Sequence, residues 1–327
     1  PKMDAVKAAY APLKITLTDT EAVIENRNLF TDLNAYDLVF ASSVNGKPER
    51  RAVLRVECAP GKTVRIPFPF ALPETGLACM TVTAIQRAAL PGIPAGYEAA
   101  FGQVWHNHAE ARLTLPAPQL VEMDCNIGVK GDGFEYIFGR GKGLVSIRYN
   151  GVQLLDDTVR PNFWRAPTNN DEGCAEPFTF AFPLRRELTE VSYLGLGPRE
   201  TTADRTAGGK MGAWSYNVRQ DFAQNSPVYP QECGSRTGVY RADLTGAIPG
   251  ICFAGDSMTF SALPYTPHEL ENARHLYELP RDDNKTVVRC AAFQRGVGGD
   301  NSWGAKPHAD DCFAVEKETS FRFTIQK

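Results

Sequence analysis

The sequence predicts an all-β protein that is built from two domains of packed sheets. Short segments in which apolar and polar residues alternate recur along its 327 residues, and this period of two is typical of strands with one buried face. Glycine, asparagine and proline residues separate the segments, as expected for turns between consecutive antiparallel strands. The length also favours about two domains, because a domain commonly contains roughly 150 residues.

The first predicted domain, residues 1–117, has about seven strand patterns, which is typical of an immunoglobulin-like sandwich. The clearest alternating segments are residues 15–17, 54–58 and 64–70. Asn45-Gly46 follows an apolar segment, and it predicts a tight hairpin turn because both residues tolerate positive φ. The prolines in Thr114-Leu-Pro-Ala-Pro118 prevent a strand from continuing and predict the junction with the second domain.

The second predicted domain, residues 118–327, continues with strand patterns. They are residues 134–138, 144–149, 191–194, 258–263, 286–292 and 320–325. The stretch Gly139-Arg-Gly-Lys-Gly143 predicts a glycine-rich hairpin turn. Thr266-Pro-His-Glu269 predicts the start of a short helix, because threonine caps it, proline suits its first position and glutamate completes a capping box.

Charge and cysteine usage exclude several classes of protein. The net charge of −3 disfavours a nucleic-acid surface, which needs a basic excess. No apolar run approaches the roughly 18 residues of a membrane-spanning helix.

The sequence starts at Pro1 without a signal-peptide pattern, so we expect this start to lie inside a longer polypeptide. The cysteines include no C-x-x-C pair, and we expect buried free thiols in a reducing cytoplasm. They are Cys58, Cys79, Cys125, Cys174, Cys233, Cys252, Cys290 and Cys312.

The histidines permit a metal site but favour other roles. His106, His108 and Glu110 would point to one side of a strand, where they could hold a metal ion, although surface or turn positions are commoner for such histidines. His268 and His275 lie on or beside the predicted helix, where capping or packing is the commoner role.

Two acidic clusters and a glycine-rich stretch also have alternative interpretations. Asp156-Asp157 and Asn169–Glu172 carry carboxylates of the kind that glycosidases use, but adjacent strand residues point to opposite faces, which favours turns. Gly296-Val-Gly-Gly-Asp300 precedes no helix pattern, which favours a tight turn over a nucleotide loop.

Trp303 is the strongest candidate for contact with a ligand. It lies among small and polar residues, Gly298 to Ser302 and Gly304, without alternating apolar neighbours. This setting favours presentation on a loop, where the flat indole face could stack on a pyranose ring. Ordinary packing is the alternative.

Three segments resemble LacZ-type β-galactosidases of glycoside hydrolase family 2. The first is residues 131–144, followed by Asn162-Phe-Trp-Arg-Ala-Pro-Thr-Asn-Asn-Asp-Glu-Gly173; the second is Tyr193-Leu-Gly-Leu-Gly-Pro-Arg-Glu200 with Asp204-Arg205; the third is Gly298-Gly-Asp-Asn-Ser-Trp303. They occur in family order over about residues 121–327 and are similar to the small-chain domain. Residues 10–115 occupy the position of the family's immunoglobulin-like domain.

The resemblance has implications for the fold and for the site residues. It implies that the second domain is a large antiparallel β-supersandwich related to galactose mutarotases. It also implies that the catalytic glutamates and the magnesium and sodium ligands lie in an upstream TIM barrel, so that this chain carries no catalytic residue and no metal. Trp303 would then be the platform for the aglycone sugar. Asn170, Asp171 and Gly173 would begin a mobile loop beside the active site.

The sequence departs from the family between the first and second of these quoted segments. Family members have several dozen more residues before the Leu-Gly-Leu-Gly-Pro segment, where this sequence has only Cys174 to Ser192. The loss of so many strands would leave sheet edges unpaired. We therefore expect that family residues are missing from this sequence near 174–182.

The resemblance thus implies the C-terminal, non-catalytic region of a retaining enzyme that hydrolyses terminal β-D-galactosides such as lactose. Its expected partners are the sugar, a TIM-barrel catalytic domain or large subunit, and further copies in a homo-oligomer, without nucleic acid or membrane. The alternatives are a stand-alone carbohydrate-binding module and a mutarotase-like epimerase. The epimerase would need a histidine and a glutamate facing each other on the concave face of the sheet.

Overall fold

The computed structural model describes residues 3–108, 117–164, 166, 178–225, 230–280, 285–301, 305–312 and 320–327. Within these residues the chain is mostly antiparallel β-structure with short helices, which confirms the predicted all-β class. Contacts divide the chain into two compact units. The N-terminal unit comprises Lys2–Leu113 and Ala207–Ala213, and the C-terminal unit comprises Thr114–Thr206 and Trp214–Lys327.

The N-terminal unit contains a three-stranded and a four-stranded sheet, with strand orders β1-β2-β5 and β4-β3-β6-β7. The strands are β1 (Leu13–Leu17), β2 (Glu21–Asn26), β3 (Tyr36–Val44), β4 (Lys47–Leu54), β5 (Thr63–Pro67), β6 (Leu77–Gln86) and β7 (Glu98–Asn107). A short helix, α1 (Met3–Ala9), precedes them, and a 3-10 turn, Leu33–Ala35, precedes β3.

One apolar core joins the inner faces of these two sheets. It includes Ile24 from β2, Phe40 from β3, Ile66 from β5 and Val82 from β6. Side chains along β3 alternate between buried and half-buried, as expected for a strand with one face on a core. The unit is therefore a β-sandwich.

The predicted hairpin turn at Asn45-Gly46 is confirmed. Asn45 and Gly46 have φ values of 49° and 75°, and they join β3 to β4 through the pair Val44 and Lys47. The predicted strand over residues 54–58 is wrong beyond Leu54. The carbonyl of Cys58 instead accepts hydrogen bonds from the amide of Leu33, in the 3-10 turn, and from the side chain of Asn26, the last residue of β2, so these bonds are not part of a strand ladder.

The other strands form a five-stranded and an eight-stranded sheet. The five-stranded sheet has the order β12-β11-β10-β9-β8, and the eight-stranded sheet has the order β13-β14-β19-β18-β17-β15-β16, with β20 paired to β18. The strands are β8 (Gln119–Glu122), β9 (Asn126–Gly131), β10 (Phe134–Gly139), β11 (Gly143–Tyr149), β12 (Val152–Gln153), β13 (Arg160–Asn162), β14 (Phe178–Arg185), β15 (Leu188–Gly197), β16 (Lys210–Asn217), β17 (Arg236–Gly246), β18 (Ile251–Leu263), β19 (Lys285–Phe293) and β20 (Phe323–Gln326).

The C-terminal unit has its own large core. Ile147 from β11 packs there with Phe182 from β14, Val191 from β15, Phe253 from β18 and Val288 from β19. Residues of the five-stranded and the eight-stranded sheet thus share one apolar interior, as in a large sandwich.

A smaller apolar cluster lies around two short helices, α2 (Val218–Asn225) and α3 (Pro267–Asn272). The predicted capping box is present at α3. The Glu269 amide donates to the Thr266 hydroxyl at 3.2 Å, and the Glu269 carboxylate accepts from the Thr266 amide at 2.7 Å. α3 already ends at Asn272, and a 3-10 turn, Leu276–Glu278, precedes Pro280.

The glycine-rich hairpin of the C-terminal unit is also as predicted. Gly139 at the end of β10 pairs with Gly143 at the start of β11. Gly141 and Gly143 have φ values of 73° and 89°, which other residues rarely adopt.

The domain boundary predicted at residues 117 and 118 adjoins residues 109–116, which lie outside the described residues, and it stays a prediction. The contact division does assign Ala207–Ala213 to the N-terminal unit, an assignment that a single boundary does not foresee. None of the described helices is long and apolar enough to cross a bilayer.

The described cysteines are free thiols, as predicted. Cys58, Cys79, Cys233, Cys252 and Cys290 are buried, as also predicted, but Cys125 is exposed and Cys312 is half-buried, so the prediction of burial is wrong for Cys125. Burial raises the pKa of the Cys79 thiol to about 11. Cys174 lies outside the described residues.

Candidate functional site

The site residues predicted from the sequence lie outside the described residues. They are Trp303, the predicted sugar contact, and Asn170, Asp171 and Gly173, the predicted start of a loop beside the active site. The structure does describe the chain on both sides of Trp303, residues 296–301 and 305–312, and it describes Asn162 to Trp164 ahead of the predicted mobile loop. The groups that hold these neighbouring segments therefore define the candidate site.

The glycine-rich stretch that begins at Gly296 contacts the carboxylate of Asp204. Oδ1 of Asp204 accepts a hydrogen bond from the Val297 amide at 3.1 Å, and Oδ2 accepts one from the Gly298 amide at 2.7 Å. Two successive amides that converge on one anion form the kind of nest that binds phosphate in nucleotide loops. Here the protein's own carboxylate occupies the nest. Residues 296–299 are irregular without a turn, and none of their glycines has a positive φ, so the predicted tight turn is wrong.

The surroundings of Asp204 favour its ionised form. Partial burial of the carboxylate opposes ionisation, but hydrogen bonds from the Thr202 hydroxyl and from the Gly298 and Val297 amides outweigh it. The pKa of Asp204 is therefore lowered from its ordinary value. A carboxylate that stays charged makes shorter and stronger hydrogen bonds to amides than a neutral acceptor does.

Glycine is required in this stretch because other chain segments approach closely. A Cβ atom on Gly299 would lie 2.2 Å from the carbonyl oxygen of Ala305, and a Cβ atom on Gly296 would lie 3.0 Å from the Cβ atom of Asp204. The amide of Gly296 also donates to the carbonyl of Asp311 at 2.8 Å. The stretch is thus held between Asp204 and the segment that follows Trp303.

A second contact between the two sides of Trp303 is exposed. Nε2 of His308 lies 2.8 Å from Oδ1 of Asp300, and both side chains are largely open to solvent. The hydrogen bond to Asp300 raises the pKa of His308. Surface pairs of this kind contribute little to stability.

Asp204 lies on a segment that is itself fixed by buried polar contacts. The Arg205 guanidinium lies 3.1 Å from the Glu200 carboxylate, and both side chains are mostly buried. Burial raises the pKa of Glu200, and the positive charge of Arg205 opposes this rise. The Thr201 amide donates to the Ser235 carbonyl at 2.8 Å, and the Ser235 hydroxyl donates to Gln294 at 2.8 Å. These contacts connect the segments around residues 201, 235 and 294.

Two buried arginine–carboxylate pairs beside these segments are not predicted from the sequence. Arg236 donates to both carboxylate oxygens of Asp221, at 2.8 and 2.6 Å. Arg289 likewise pairs with Glu232. The signal that could have found Arg289 is its position among apolar residues of β19, Val287 to Ala291, where a charge needs a buried partner.

The segment ahead of the predicted mobile loop packs against α3. The Trp164 ring stacks on the His268 ring with centroids 5.1 Å apart and an angle of 18° between the planes. The Trp164 amide donates to the Asn162 side chain at 3.3 Å. His275 stacks on Tyr277 at 5.1 Å. His268 therefore packs on Trp164 as the sequence favours, whereas His275 is exposed, makes no side-chain cap bond and contacts the exposed Tyr277.

The histidine pair of β7 lies in the N-terminal unit. The His106 ring nitrogen Nε2 lies 2.8 Å from an Asp19 carboxylate oxygen, and its ring centroid is 6.2 Å from that of His108. Both histidines line an open cleft of about 450 Å³. Glu110 lies outside the described residues, and within those residues no three His, Cys, Asp or Glu side chains are arranged to hold a metal ion.

The acidic pair Asp156-Asp157 lies in a turn, as predicted. The Asp157 carboxylate accepts from the Thr158 amide at 2.7 Å, and the Asp156 amide donates to the Pro183 carbonyl at 2.8 Å. The cluster Asn169–Glu172 lies outside the described residues.

Two protein-family models match this chain, and both describe parts of β-galactosidases. The family model "Beta galactosidase small chain" matches residues 130–180 and 176–325, and the model "Beta-galactosidase, domain 4" matches residues 22–107. The two small-chain matches overlap at residues 176–180, inside the region 174–182 where family residues are expected to be missing. That expectation stays a prediction.

Curated relatives match the chain over its whole length. A β-galactosidase of Lactobacillus delbrueckii subsp. bulgaricus is 30% identical over 410 aligned positions, which cover 100% of this chain and 40% of the relative. One of Halalkalibacterium halodurans is 28% identical, with coverage of 100% and 40%. The chain thus spans about 40% of the length of these relatives.

A further relative is a separate polypeptide. The "Beta-galactosidase small subunit" of Latilactobacillus sakei is 32% identical over 307 positions, which cover 62% of this chain and 95% of the relative. Because the small-chain model alone matches more than half of the residues, the chain belongs to the β-galactosidase small-chain family.

Proposed function

We propose that this chain is the C-terminal, non-catalytic region of a β-galactosidase that hydrolyses terminal β-D-galactosides such as lactose. The observation that carries the proposal is the match of both units, in order, to consecutive β-galactosidase family models. The chain spans about 40% of its full-length relatives, so the larger part of each such relative has no counterpart in this chain.

The proposed reaction is a retaining hydrolysis. One carboxylic acid protonates the leaving oxygen while a second carboxylate attacks the sugar and forms a glycosyl-enzyme, for which the two groups stand about 5–5.5 Å apart. We assign both groups, and the magnesium and sodium ligands, to a TIM barrel in the rest of the enzyme. Among the described residues, the buried acids Asp221 and Glu232 and the mostly buried Glu200 each pair with an arginine, which supports the assignment.

The proposed contribution of this chain is to the wall of the active site. Trp303 stacks on the leaving glucose of lactose, and the residues that begin with Asn170, Asp171 and Gly173 border the same site. Stacking on an aromatic face favours a sugar in this subsite without any chemical step on this chain. The close packing of residues 296–301 against Asp204 and Ala305 supports this role, since a platform needs a fixed base.

The proposed partners are the catalytic barrel, as a domain or a large subunit, and further copies of the enzyme in a homo-oligomer. The free thiols of the described residues suit a reducing cytoplasm, which is the proposed location.

The first experiment tests whether chemistry resides elsewhere. The purified chain is incubated with nitrophenyl β-galactoside, alone and together with the catalytic region of the same enzyme. We expect turnover only in the second case. Turnover by the chain alone would contradict the proposal.

The second experiment tests the platform in the assembled enzyme. Trp303→Ala should raise KM for lactose about 3- to 10-fold, the usual contribution of one aromatic stack, and Trp303→Phe should restore part of the loss. Trp105→Ala, in the N-terminal unit, is the matched control. Calorimetry of the chain with lactose tests the carbohydrate-binding module, because tight binding without the barrel would favour that alternative.

A further inference from the structure

We propose that Asp204 is a positioning residue for the aglycone side of the active site, an inference that rests on the proposed function. Its carboxylate fixes the course of the chain at Val297 and Gly298, a few residues ahead of Trp303. The residue thus acts on the sugar subsite through the backbone and without touching the sugar.

The geometry of the contact requires a carboxylate. Two consecutive backbone amides donate to the two different oxygens of Asp204, at 3.1 and 2.7 Å. An asparagine would offer one accepting oxygen, and its amide group would face a second donor. A carboxylate is thus the side chain that satisfies both amides at once.

Asp204 is itself fixed by its neighbours. The Arg205 amide donates to the Thr202 carbonyl at 2.9 Å, which closes a turn around residue 204. Arg205 pairs with the mostly buried Glu200, and the Thr237 amide donates to the Thr201 hydroxyl at 2.8 Å. The carboxylate is therefore attached to the sheet through β17 and acts on residues 297 and 298 as a rigid support.

On the side away from Asp204, the glycine-rich stretch contacts Ala305 and His308, and neither contact is a buried ion pair. Gly299 lies against the Ala305 carbonyl, and the Asp300–His308 pair is exposed. Removal of the Asp204 carboxylate would leave two amides of the stretch without their anion, while the exposed pair would remain. We therefore expect Asp204, and not Asp300, to determine the order of residues 297–301.

The test on the chain itself is hydrogen exchange of the peptide that covers residues 294–301, followed by mass spectrometry. Asp204→Ala and Asp204→Asn should speed exchange at Val297 and Gly298 about 10- to 100-fold, the usual effect of losing charge-assisted hydrogen bonds. Asp300→Ala is the matched control and should change exchange less than about 3-fold. Unchanged exchange of strand β19 shows that each variant is folded.

Chemical rescue distinguishes two causes of faster exchange in Asp204→Ala: loss of the anion that the Val297 and Gly298 amides bind, and a general loss of local order. Sodium formate should restore slow exchange in Asp204→Ala in a saturable way, because formate supplies the missing carboxylate, and it should leave the wild-type chain unchanged. Sodium chloride at equal ionic strength is the control. Exchange in Asp204→Ala that equals wild type, or that formate does not slow, would overturn the inference.

The test in the assembled enzyme is a double-mutant cycle with lactose. Asp204→Ala should raise KM as Trp303→Ala does, with kcat less affected, and the double variant should be no worse than Trp303→Ala, because both act at one subsite. Additive effects, or an unchanged KM for Asp204→Ala beside a raised KM for Trp303→Ala, would overturn the positioning role and leave the proposed function intact. An unchanged KM for Trp303→Ala would instead contradict the proposed platform, and with it the inference.

Discussion

Arg236 and Asp221 form a two-bond ion pair in the interior of the C-terminal unit, with side chains 1% and 9% exposed. The Arg236 guanidinium also lies 4.2 Å from the centroid of the Tyr216 ring and donates to the Gly234 carbonyl at 2.5 Å. These contacts connect α2, where Asp221 lies, to β16 and to the start of β17. Because the pair is removed from water, the loss of either partner leaves an uncompensated charge.

Asp221→Ala should therefore be strongly destabilising. The free energy of unfolding should fall by roughly 3–5 kcal/mol, the usual consequence of breaking a buried pair. Asp243→Ala is the matched control, because Asp243 pairs with Arg241 in the same way but at the surface, and it should cost less than about 1 kcal/mol. Urea unfolding followed by circular dichroism measures both; equal losses would show that the burial of the pair is unimportant.

The side chain of Gln103 should stabilise residues 207–213 on the N-terminal unit. Its oxygen accepts from the Met211 amide at 2.7 Å, and its nitrogen donates to the Met211 carbonyl at 3.2 Å. Gln103→Met removes both bonds and should cost roughly 1–3 kcal/mol. Hydrogen exchange at the Met211 amide should become faster. Gln220→Met, at an exposed position of α2, is the control, and an unchanged Met211 amide in Gln103→Met would contradict the prediction.

The contact between Asp204 and residues 297 and 298 should be released by acid. Since the pKa of Asp204 is lowered in the folded chain, its stabilising effect is complete above its unfolded pKa of about 3.9 and is lost as the pH falls through the folded value. Exchange at residues 297 and 298, corrected for the intrinsic rate, should remain slow at pH 5 and rise below about pH 4. Asp204→Asn should abolish this dependence, and a transition near neutral pH would be inconsistent with it.

The Asp300–His308 pair has the opposite pH dependence. The pKa of His308 is raised by Asp300. The stabilising effect of the pair is therefore complete below the unfolded histidine pKa of about 6.5, and it is lost as the pH rises through the pKa of His308 in the folded chain. Proton resonances of the His308 ring should therefore titrate above about pH 6.5, and Asp300→Asn should lower the midpoint. A midpoint that Asp300→Asn leaves in place would contradict the assigned cause.

In the folded chain, the thiol of Cys125 should react much faster than the buried thiols of Cys79 and Cys290. Cys125 is exposed, whereas Cys79 and Cys290 are buried and have raised pKa values. The thiolate is the reactive form, so N-ethylmaleimide should modify Cys125 within minutes and should reach Cys79 and Cys290 only after unfolding in urea. Peptide mass spectrometry locates the label, and rapid labelling of Cys290 in the native chain would contradict its burial.

The sequence determined those features of this protein that depend on neighbouring residues. The alternation of β3, the Asn45-Gly46 turn and the Thr266 capping box are each set by local backbone preference and by one buried face, and the structure confirms all three. The motifs that indicate the β-galactosidase family are also local. Trp303, Asn170, Asp171 and Gly173 remain predictions, because they lie outside the described residues.

Only the tertiary structure decided which distant groups meet. The partners Asp204 and Gly298, or Glu232 and Arg289, are separated by dozens of residues, and no local preference pairs a given carboxylate with a given amide or arginine. Gly46 is required for a local and for a tertiary reason. Locally, the turn needs its positive φ; in the fold, a Cβ atom at this position would lie 2.3 Å from the Cβ atom of Ala213. Pattern determines elements because it acts on adjacent residues, whereas the site depends on packing between elements that are far apart along the chain.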